Sequence, residues 1–375
     1  MVHAQGINGT GIRIAILDTG IDYDHEDLND NYKGGIGFVQ DPQGNVDPGN
    51  YDDSSSSHGT HVAGIIAAEN NGIGVVGVAP NAEIYSVKVL DGAGFGLSSW
   101  IVSGIQWAVD NNMDIATISI QSTEDSQALH NAIDNAYDSG VLLVAAGGNA
   151  NGGSVRYPAA YDSVIAVTAT DADDHLARFS PIGQEIELAA PGVGIYSTIR
   201  GGYGIMDGTS MAAPHVTGVA ALILSSDFQD VNGDGVRNNN DVRILLHNAI
   251  DLGDPGRDNL YGYGLADAQM AVMEISGTRE LTLTRTYSPP KNNAGYVELL
   301  TGNYSVLMQN INLSHINMEV YENGVIRNDL SSRYNFKKSN MPQNICVDLN
   351  VSDMLEIVFI PYGVRGSTGY VTIRG

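Results

Sequence analysis

Apolar and polar positions alternate in blocks along the chain as far as residue 275. Five short runs are almost continuously apolar, which is typical of strands buried on both faces of a sheet. Longer segments between them have the pattern of helices. The predicted strands are 12–17, 84–90, 114–120, 141–146 and 163–169, and the predicted helices are 59–69, 98–111, 126–139, 210–225 and 264–275. This alternation predicts an α/β fold with a parallel sheet and helices on both faces.

The pattern changes near residue 276. Runs such as 280–284, 304–308 and 355–360 alternate apolar and polar residues, and turn signals such as 322–324 lie between them. Such runs indicate half-buried antiparallel strands, and about 100 residues of this kind predict a C-terminal antiparallel β-sandwich. We therefore predict a first domain at 1–276 and an accessory domain at 277–375, which we expect to stabilise or attach the first.

The chain has 375 residues, with 43 acidic and 18 basic side chains and a formal net charge of −25. This excess of negative charge argues against nucleic acid or an anionic membrane as a partner, because proteins bind phosphate groups through Lys and Arg. The acidity has two open explanations, namely solubility, including life in salt, or neutralisation by bound cations. The sequence predicts no transmembrane span, because it has no apolar run of about eighteen residues.

The first residues of the chain do not have the pattern of a signal peptide. We expect a secreted protein in mature form, although an intracellular protein remains an alternative. The single cysteine, Cys346, cannot form an internal disulfide and is expected to be a small buried apolar residue.

Small residues surround a serine in the segment 208–216, Gly-Thr-Ser-Met-Ala-Ala-Pro-His-Val. The pattern predicts a buried helix with Ser210 at its N-terminus, where free N–H groups and the helix dipole favour a developing negative charge. A serine is a weak nucleophile unless a base accepts its proton and a third group orients that base. The chain would therefore need a histidine, a carboxylate and an oxyanion donor.

Three other segments place such groups at the ends of predicted elements. An apolar strand ends at Asp18, a helix of small residues opens at His58, and a buried strand ends shortly before Asn149. With these motifs in the order Asp, His, Asn, Ser, the sequence resembles the subtilisin-like serine proteases. The resemblance covers roughly residues 4–275.

The resemblance implies a role for each of these residues. Asp18 holds the His58 imidazole in the correct tautomer, His58 removes the proton of Ser210, and Ser210 attacks a peptide carbonyl. The Asn149 side chain and the backbone N–H of Ser210 donate to the oxyanion.

A second histidine, His61, lies three residues after His58. Two histidines at this spacing can bind zinc, but no third ligand follows at helical spacing. His61 and His215 are therefore expected to be structural residues.

The resemblance places two extended segments along the substrate groove, 91–96 with Gly94 and 119–122 with Ser119. The second departs from the family pattern, because Gln121 and its neighbour replace a glycine pair past which the substrate backbone runs. Gln121 is therefore expected to narrow the primary specificity pocket or to change its wall.

Arg156 aligns with the floor of the same pocket. A partly buried guanidinium seeks a carboxylate, so one expectation is a preference for an acidic or polar residue before the scissile bond. The other is that Arg156 turns outward to solvent.

The segment 230–241 matches a twelve-residue calcium loop of the EF-hand type, with Asp at position 12 as in dockerin-like loops. Its alternative is a surface loop rich in Asn and Gly. The candidate ligands are Asp230, Asn232, Asp234, the Val236 carbonyl, Asn238 and Asp241.

A second calcium site is implied by the resemblance alone. Its candidate ligands are Asp27, Asn71 and the carbonyl groups of Glu69, Ile73 and Val75. The N-terminal ligand of the family lies upstream of the first residue of this chain, so occupancy of this site is an open question.

These features together predict a calcium-stabilised serine endopeptidase that acts on protein or peptide substrates. One alternative is a binding or scaffold protein that has lost catalysis. The altered pocket wall at Gln121 is compatible with this alternative. Another is an esterase, although the G-x-S-x-G pattern is absent around Ser210. A narrow processing protease is the third, and an inhibitory pro-segment, not in this chain, is a possible partner.

Overall fold

The computed structural model describes residues 2–272, apart from Ser54 and Pro255, and nine strands of the region that follows. The backbone forms two compact units, Met1–Asp227 and Phe228–Gly375. This division differs from the predicted domain boundary at 276/277, which stays a prediction. None of the described helices is long and apolar enough to cross a membrane.

The described residues of the first unit contain nine strands and four α-helices, preceded by a short 3₁₀ helix at His3–Gln5. They are β1 (Arg13–Asp18), β2 (Tyr32–Gly37), α1 (His58–Ala67), β3 (Glu83–Lys88), α2 (Ser98–Asp110), β4 (Ile115–Ile118), α3 (Gln127–Asp138), β5 (Leu142–Ala146), β6 (Ile165–Thr170), β7 (Ile186–Pro191), β8 (Ile195–Ile199), β9 (Gly202–Met206) and α4 (Thr209–Leu224).

Seven of these strands form one parallel sheet in the order β2-β3-β1-β4-β5-β6-β7. From β1 the chain runs to the edge strand β2, returns to β3 beside β1, and then crosses to β4 on the other side, so β1 lies at the point where the winding reverses. Ligands of such sheets bind at the carboxyl ends of the strands at this point. The predicted parallel sheet is confirmed, and Asp18 ends the strand at the reversal.

Strand β1 is buried on both faces, as its continuous apolar run predicts. Ala15 and Leu17 belong to one core cluster with side chains of α2 and α3. The alternate residues Ile14 and Ile16 are also buried, and successive side chains of a strand point to opposite faces. Helices α1 and α4, which bear the His58 and Ser210 motifs, pack against each other.

Some elements of the first unit differ from the predictions. Strand β2, with the sequence Tyr-Lys-Gly-Gly-Ile-Gly, has too few apolar residues to stand out as a strand. The antiparallel pair β8 and β9 and the strand β7 were also not predicted.

The second unit contains short elements followed by the antiparallel strands. They are α5 (Asn239–Leu246), β10 (Ala249–Asp251), β11 (Leu265–Ala266), α6 (Ala268–Val272), β12 (Thr278–Thr284), β13 (Ala294–Leu299), β14 (Gly302–Asn310), β15 (Leu313–Glu322), β16 (Val325–Ile326), β17 (Ser332–Asn335), β18 (Gln343–Val351), β19 (Leu355–Gly363) and β20 (Thr368–Arg374).

The strands of the second unit pair antiparallel. Strand β20 pairs with β12 and β14, and β14 also pairs with β18. Strand β19 pairs with β13 and β15. Antiparallel strands were predicted here, whereas the packing of two such sheets into a sandwich stays a prediction. The predicted helix at 264–275 is confirmed only at α6, and β11 stands at its start instead; residues 273–275 lie outside the described residues.

Candidate active site

Asp18 is a fully buried carboxylate at the carboxyl end of β1. Its Oδ1 accepts a hydrogen bond from the backbone N–H of Thr19 at 2.7 Å and lies 2.7 Å from His58 Nδ1. This contact requires a proton on Nδ1 of His58, which leaves Nε2 of the neutral ring as an acceptor. The arrangement therefore suits His58 to the role of a base.

His58 is the first residue of α1, and the preceding Ser57 has a left-handed φ of 77°. The imidazole is 29% exposed, so it is open to the solvent side of the site. Burial is the largest single influence, and it lowers the pKa of His58. The charge and hydrogen bond of Asp18, together with the charge of Asp53, raise the pKa by more than burial lowers it. The net pKa is therefore raised above its ordinary value, because a neighbouring carboxylate favours the imidazolium.

Ser210 lies in the first turn of α4, after Gly208 with a φ of 154°. Gly208 makes no side-chain cap. The N–H of Thr209 donates to Asn149 Oδ1 and that of Met211 to the Gly208 carbonyl, whereas the N–H of Ser210 has no hydrogen bond among the described residues and is available to a ligand. Pro214 has no N–H to donate to the carbonyl of Ser210 four residues earlier. Ser119 Oγ donates to that carbonyl instead, at 3.2 Å, and thereby joins the predicted groove segment to the nucleophile.

Asn149 lies three residues beyond the end of β5. Its Oδ1 accepts hydrogen bonds from the N–H and the hydroxyl of Thr209, both at 3.1 Å. These bonds fix the orientation of the amide. A Cβ at Gly208 would lie 3.6 Å from Asn149 Nδ2 and 3.6 Å from Ser210 N, so the two donors flank one space that the glycine leaves open.

Thr209 was not predicted as a site residue. Its hydroxyl also accepts a hydrogen bond from the N–H of Gly148 at 3.1 Å, so it joins the end of β5 to the start of α4. Its only sequence signal is its position directly before Ser210.

The structure does not connect every member of the predicted triad. Among the hydrogen bonds of the described residues there is none between Ser210 Oγ and His58. Such a bond is often long before substrate binds and tightens in the Michaelis complex. The two residues lie at the N-terminal ends of α1 and α4, which pack together.

Gln121 and Arg156 meet at Gly148, which has a φ of 107°. A Cβ at Gly148 would collide with Arg156 Cγ and would lie 3.1 Å from Gln121 Oε1. Gln121 Oε1 also accepts the N–H of Asn149 at 2.7 Å. Two predicted pocket residues therefore lie directly beside the predicted oxyanion donor, whereas Gly94 belongs to a separate turn with a φ of 82° and open space around it.

The loop 230–241 is closed by hydrogen bonds to its own carboxylates. Asp230 accepts the N–H groups of Gly233 and Gly235, at 2.7 and 2.6 Å. The buried Asp241 accepts from Val231, Asn232 and Asn238, and it forms a capping box with Asn238 at the start of α5. The donor set of carboxylate, amide and carbonyl oxygens is that of a calcium loop.

Asp27 has one carboxylate oxygen without a protein partner. Its Oδ2 accepts Val75 N at 3.1 Å and Tyr203 OH at 3.3 Å, whereas the buried Oδ1 has no hydrogen bond among the described residues. Asn71 Oδ1 accepts the N–H of Ile73 at 3.1 Å. The orphaned oxygen fits a cation at this predicted site.

The described residues contain one unpredicted group of close ligand atoms. Asp171, Asp173 and His175 lie on an exposed turn. One carboxylate oxygen of each aspartate and one ring nitrogen of the histidine lie within 4.8 Å of one another. The carboxylates of Asp230, Asp234 and Asp241 do not form such a group among the described residues.

Comparison with known proteins identifies the family of this chain. Residues 9–264 match the model of the subtilase family, Peptidase S8. The chain is 50% identical over 275 residues to a subtilisin from Bacillus pumilus, a match that covers 72% of this chain and 94% of the relative. It is 46% identical over 275 residues to subtilisin NAT from Bacillus subtilis subsp. natto, covering 72% of this chain and 68% of the relative. The chain belongs to the subtilase family and is a serine endopeptidase.

Proposed function

We propose that the endopeptidase works through Asp18, His58 and Ser210. The observation that carries the proposal is the 2.7 Å contact between Asp18 Oδ1 and His58 Nδ1, which leaves Nε2 as the base. His58 removes the hydroxyl proton of Ser210, and Ser210 Oγ attacks the peptide carbonyl. His58 then protonates the leaving amine, and water hydrolyses the acyl-enzyme.

The developing oxyanion is held by two N–H donors. Asn149 Nδ2 and Ser210 N flank the space above Gly208, which supports this assignment. Such donors act on charge that appears only in the transition state, so they lower the barrier without tightening substrate binding.

Labelling with a fluorophosphonate probe tests the nucleophile directly. We expect labelling of the native chain and none of Ser210→Ala. The variant His58→Ala should fold and label far more slowly, because the hydroxyl then lacks its base. A folded native chain that reacts no faster than Ser210→Ala would contradict the proposal and favour the binding-protein alternative.

We propose that Arg156 and Gln121 form the wall of the primary specificity pocket and favour an acidic residue before the scissile bond. The Arg156 guanidinium has no hydrogen bond or ion pair among the described residues, so its charge is available to a substrate carboxylate. Ser119 and Gly94 complete the groove in this proposal.

We propose that calcium stabilises the fold at the loop 230–241 and at the site of Asp27. When bound, the cation supplies positive charge that draws carboxylate and carbonyl oxygens together. In the loop 230–241 the six predicted ligands would hold the cation. At the site of Asp27 it would be held by Asp27, Asn71 and the carbonyl groups of Glu69, Ile73 and Val75. A cation that binds only the folded state stabilises it by about 2.7 kcal/mol at a hundredfold excess over Kd.

Calcium removal provides the test. EDTA should lower the Tm by roughly 5–10 °C, given the usual shift of about 2–4 °C per kcal/mol for a domain of this size. Asp230→Asn should remove the contribution of the first loop, and Asp27→Asn that of the second. A matched control is Asp138→Asn, an exposed carboxylate at the end of α3 and outside both candidate sites, which should leave the EDTA effect unchanged. An identical Tm with calcium and with EDTA would contradict the proposal.

We also propose that the protein acts outside the cell on protein or peptide substrates. The family resemblance supports this placement, since secreted members of the family carry signal and pro-segments that precede the mature chain. Detection of the active chain in the culture medium of its source would test it.

A further inference from the structure

Asp53 is a fully buried carboxylate in the segment that leads into α1. Its Oδ1 accepts the hydroxyl of Thr19 at 3.0 Å, and its Oδ2 accepts both the N–H and the hydroxyl of Thr60, at 3.1 and 2.9 Å. Thr19 directly follows Asp18, and Thr60 lies two residues after His58. One carboxylate therefore ties together the two chain segments that bear the acid and the base of the triad.

A second link runs through the same threonine. Thr19 Oγ1 accepts the N–H of Gly59 at 3.0 Å while it donates to Asp53. Gly59 is also packed tightly, since a Cβ there would collide with the carbonyl oxygen of Gly20 and would lie 3.0 Å from Asp18 Cβ. The first turn of α1 is thus held against the turn that follows β1, with no room for a shift.

Lys88 supplies a positive charge to this region. It is the last residue of β3, it is 4% exposed, and it pairs in register with Asp18. Its Nζ donates to the carbonyl oxygen of Thr19 and, at 3.0 Å, to that of Asp52. Burial lowers the pKa of Lys88, and the charge of Asp53 is the largest influence opposing that shift. A buried carboxylate is costly unless it is hydrogen-bonded and its charge is compensated. Thr19 and Thr60 supply the hydrogen bonds to Asp53, and the Lys88 charge acts on it without a direct ion pair among the described residues.

We propose that Asp53 is a positioning residue of the catalytic centre, which fixes Asp18 and His58 relative to each other through Thr19 and Thr60. The inference rests on the proposed triad roles of Asp18 and His58. Hydrogen bonds to a carboxylate are about twice as strong as neutral ones. An acid–base pair needs its geometry held closely, because a misplacement of about 1 Å can cost roughly a hundredfold in rate.

Asp53 also acts on His58 through its charge. Two carboxylates, Asp18 and Asp53, raise the pKa of His58 against the opposing effect of burial. Other titratable groups on α1 and the elements packed against it include Lys88 on β3, His61 on α1 and His215 on α4. Burial lowers the pKa of both His61 and His215. Loss of the Asp53 charge should therefore lower the pKa of His58.

The test compares Asp53→Asn with Asp52→Asn. The first change keeps the shape but removes the charge and one hydrogen-bond acceptor. We expect kcat/KM to fall about ten- to a hundredfold, the effect of a lost charged hydrogen bond, mostly through kcat. The acid limb of kcat/KM should move to lower pH. Asp52→Asn removes an equal charge one residue away, outside the bonds to Thr19 and Thr60, and should leave both quantities unchanged.

A second pair of variants separates geometry from charge. Thr19→Val removes the hydroxyl but keeps the Asp53 charge, so kcat should fall without a shift of the acid limb. Thr19→Ser keeps the hydroxyl and should restore the native rate. If Asp53→Asn fails to fold, this pair decides the question.

The inference would be overturned if the folded variants Asp53→Asn and Thr19→Val had native kcat values and pH profiles. It would also be overturned if their activity fell only in proportion to the unfolded fraction measured by thermal denaturation. Fluorophosphonate labelling of the native chain tests the triad independently. A labelled native chain with unaffected variants would therefore refute the positioning role alone.

Discussion

The two sides of Asn149 differ in how their side chains are held. On the catalytic side, Asn149 Oδ1 is fixed by two hydrogen bonds from Thr209, and Asp18 Oδ1 is shared between the Thr19 N–H and His58. On the pocket side, the guanidinium of Arg156 has no such partner among the described residues. The groups proposed to act in the reaction, Asn149 and Asp18, are thus oriented beforehand, whereas the charge proposed to face substrate is left unpaired.

This contrast has a physical basis. A donor that is already oriented costs no reorganisation when charge develops in the transition state. The unpaired guanidinium of Arg156 instead contributes binding free energy only when a substrate carboxylate pairs with it. Changes on the catalytic side should therefore lower turnover with any substrate, and changes on the pocket side should alter the choice of substrate.

The largest expected effect is the loss of the nucleophile. Ser210→Ala should lower kcat by about 10⁶, the loss found when the corresponding triad residue is removed from subtilisin. KM should change little, since the groove remains. Steady-state cleavage of a peptide amide measures both constants. A variant with more than a thousandth of the native kcat would show that Ser210 is not the nucleophile and would remove the basis of the comparison.

The next effect concerns the oxyanion donor. Asn149→Ala should lower kcat by about 10²–10³, as does removal of one such donor from subtilisin. Asn149→Asp is the matched control, because it keeps an acceptor for Thr209 but lacks the amide donor. Asn149→Asp should lose at least as much as Asn149→Ala, because its carboxylate lacks the donor and also repels the oxyanion. If Asn149→Asp retained the native kcat, the orientation of Thr209 would matter and the donor would not.

The pH dependence should follow His58. Its raised pKa means that the imidazolium persists to higher pH, and the protonated ring cannot accept the serine proton. The value of kcat/KM should therefore fall about tenfold per pH unit below that pKa. The corresponding contribution to folding stability has the opposite sign, being present below the unfolded pKa and lost as pH rises through the folded pKa. Activity that stayed constant on acidification would contradict this assignment.

The smallest effect should appear on the pocket side. Arg156→Gln should reduce the ratio of kcat/KM for substrates with Glu and with Gln before the scissile bond by roughly tenfold, the loss of a charge-assisted bond. The two substrates have the same shape, so the ratio isolates the charge. Gln121→Gly is a useful companion, since it removes the altered wall but keeps the guanidinium. An unchanged ratio in Arg156→Gln would show that Arg156 does not face the substrate.

Local sequence patterns predicted most of the first unit. The apolar run that ends at Asp18 was found because a strand buried on both faces needs apolar residues at every position. The glycine-rich β2 was missed for the same reason, since its stability comes from pairing with β3 rather than from its own side chains. Of the helix predicted at 264–275, the described residues contain the short α6, which β11 precedes because Leu265 and Ala266 pair with β10.

The sequence by itself determined which residues lie at the ends of β1, α1 and α4, because turns, small residues and burial are encoded locally. Only the tertiary structure decided which of these ends meet. Asp53 looked like one acidic loop residue among many until folding buried it between Thr19 and Thr60. Hydrogen bonds between distant segments depend on how helices cross the sheet, and no local pattern records that packing.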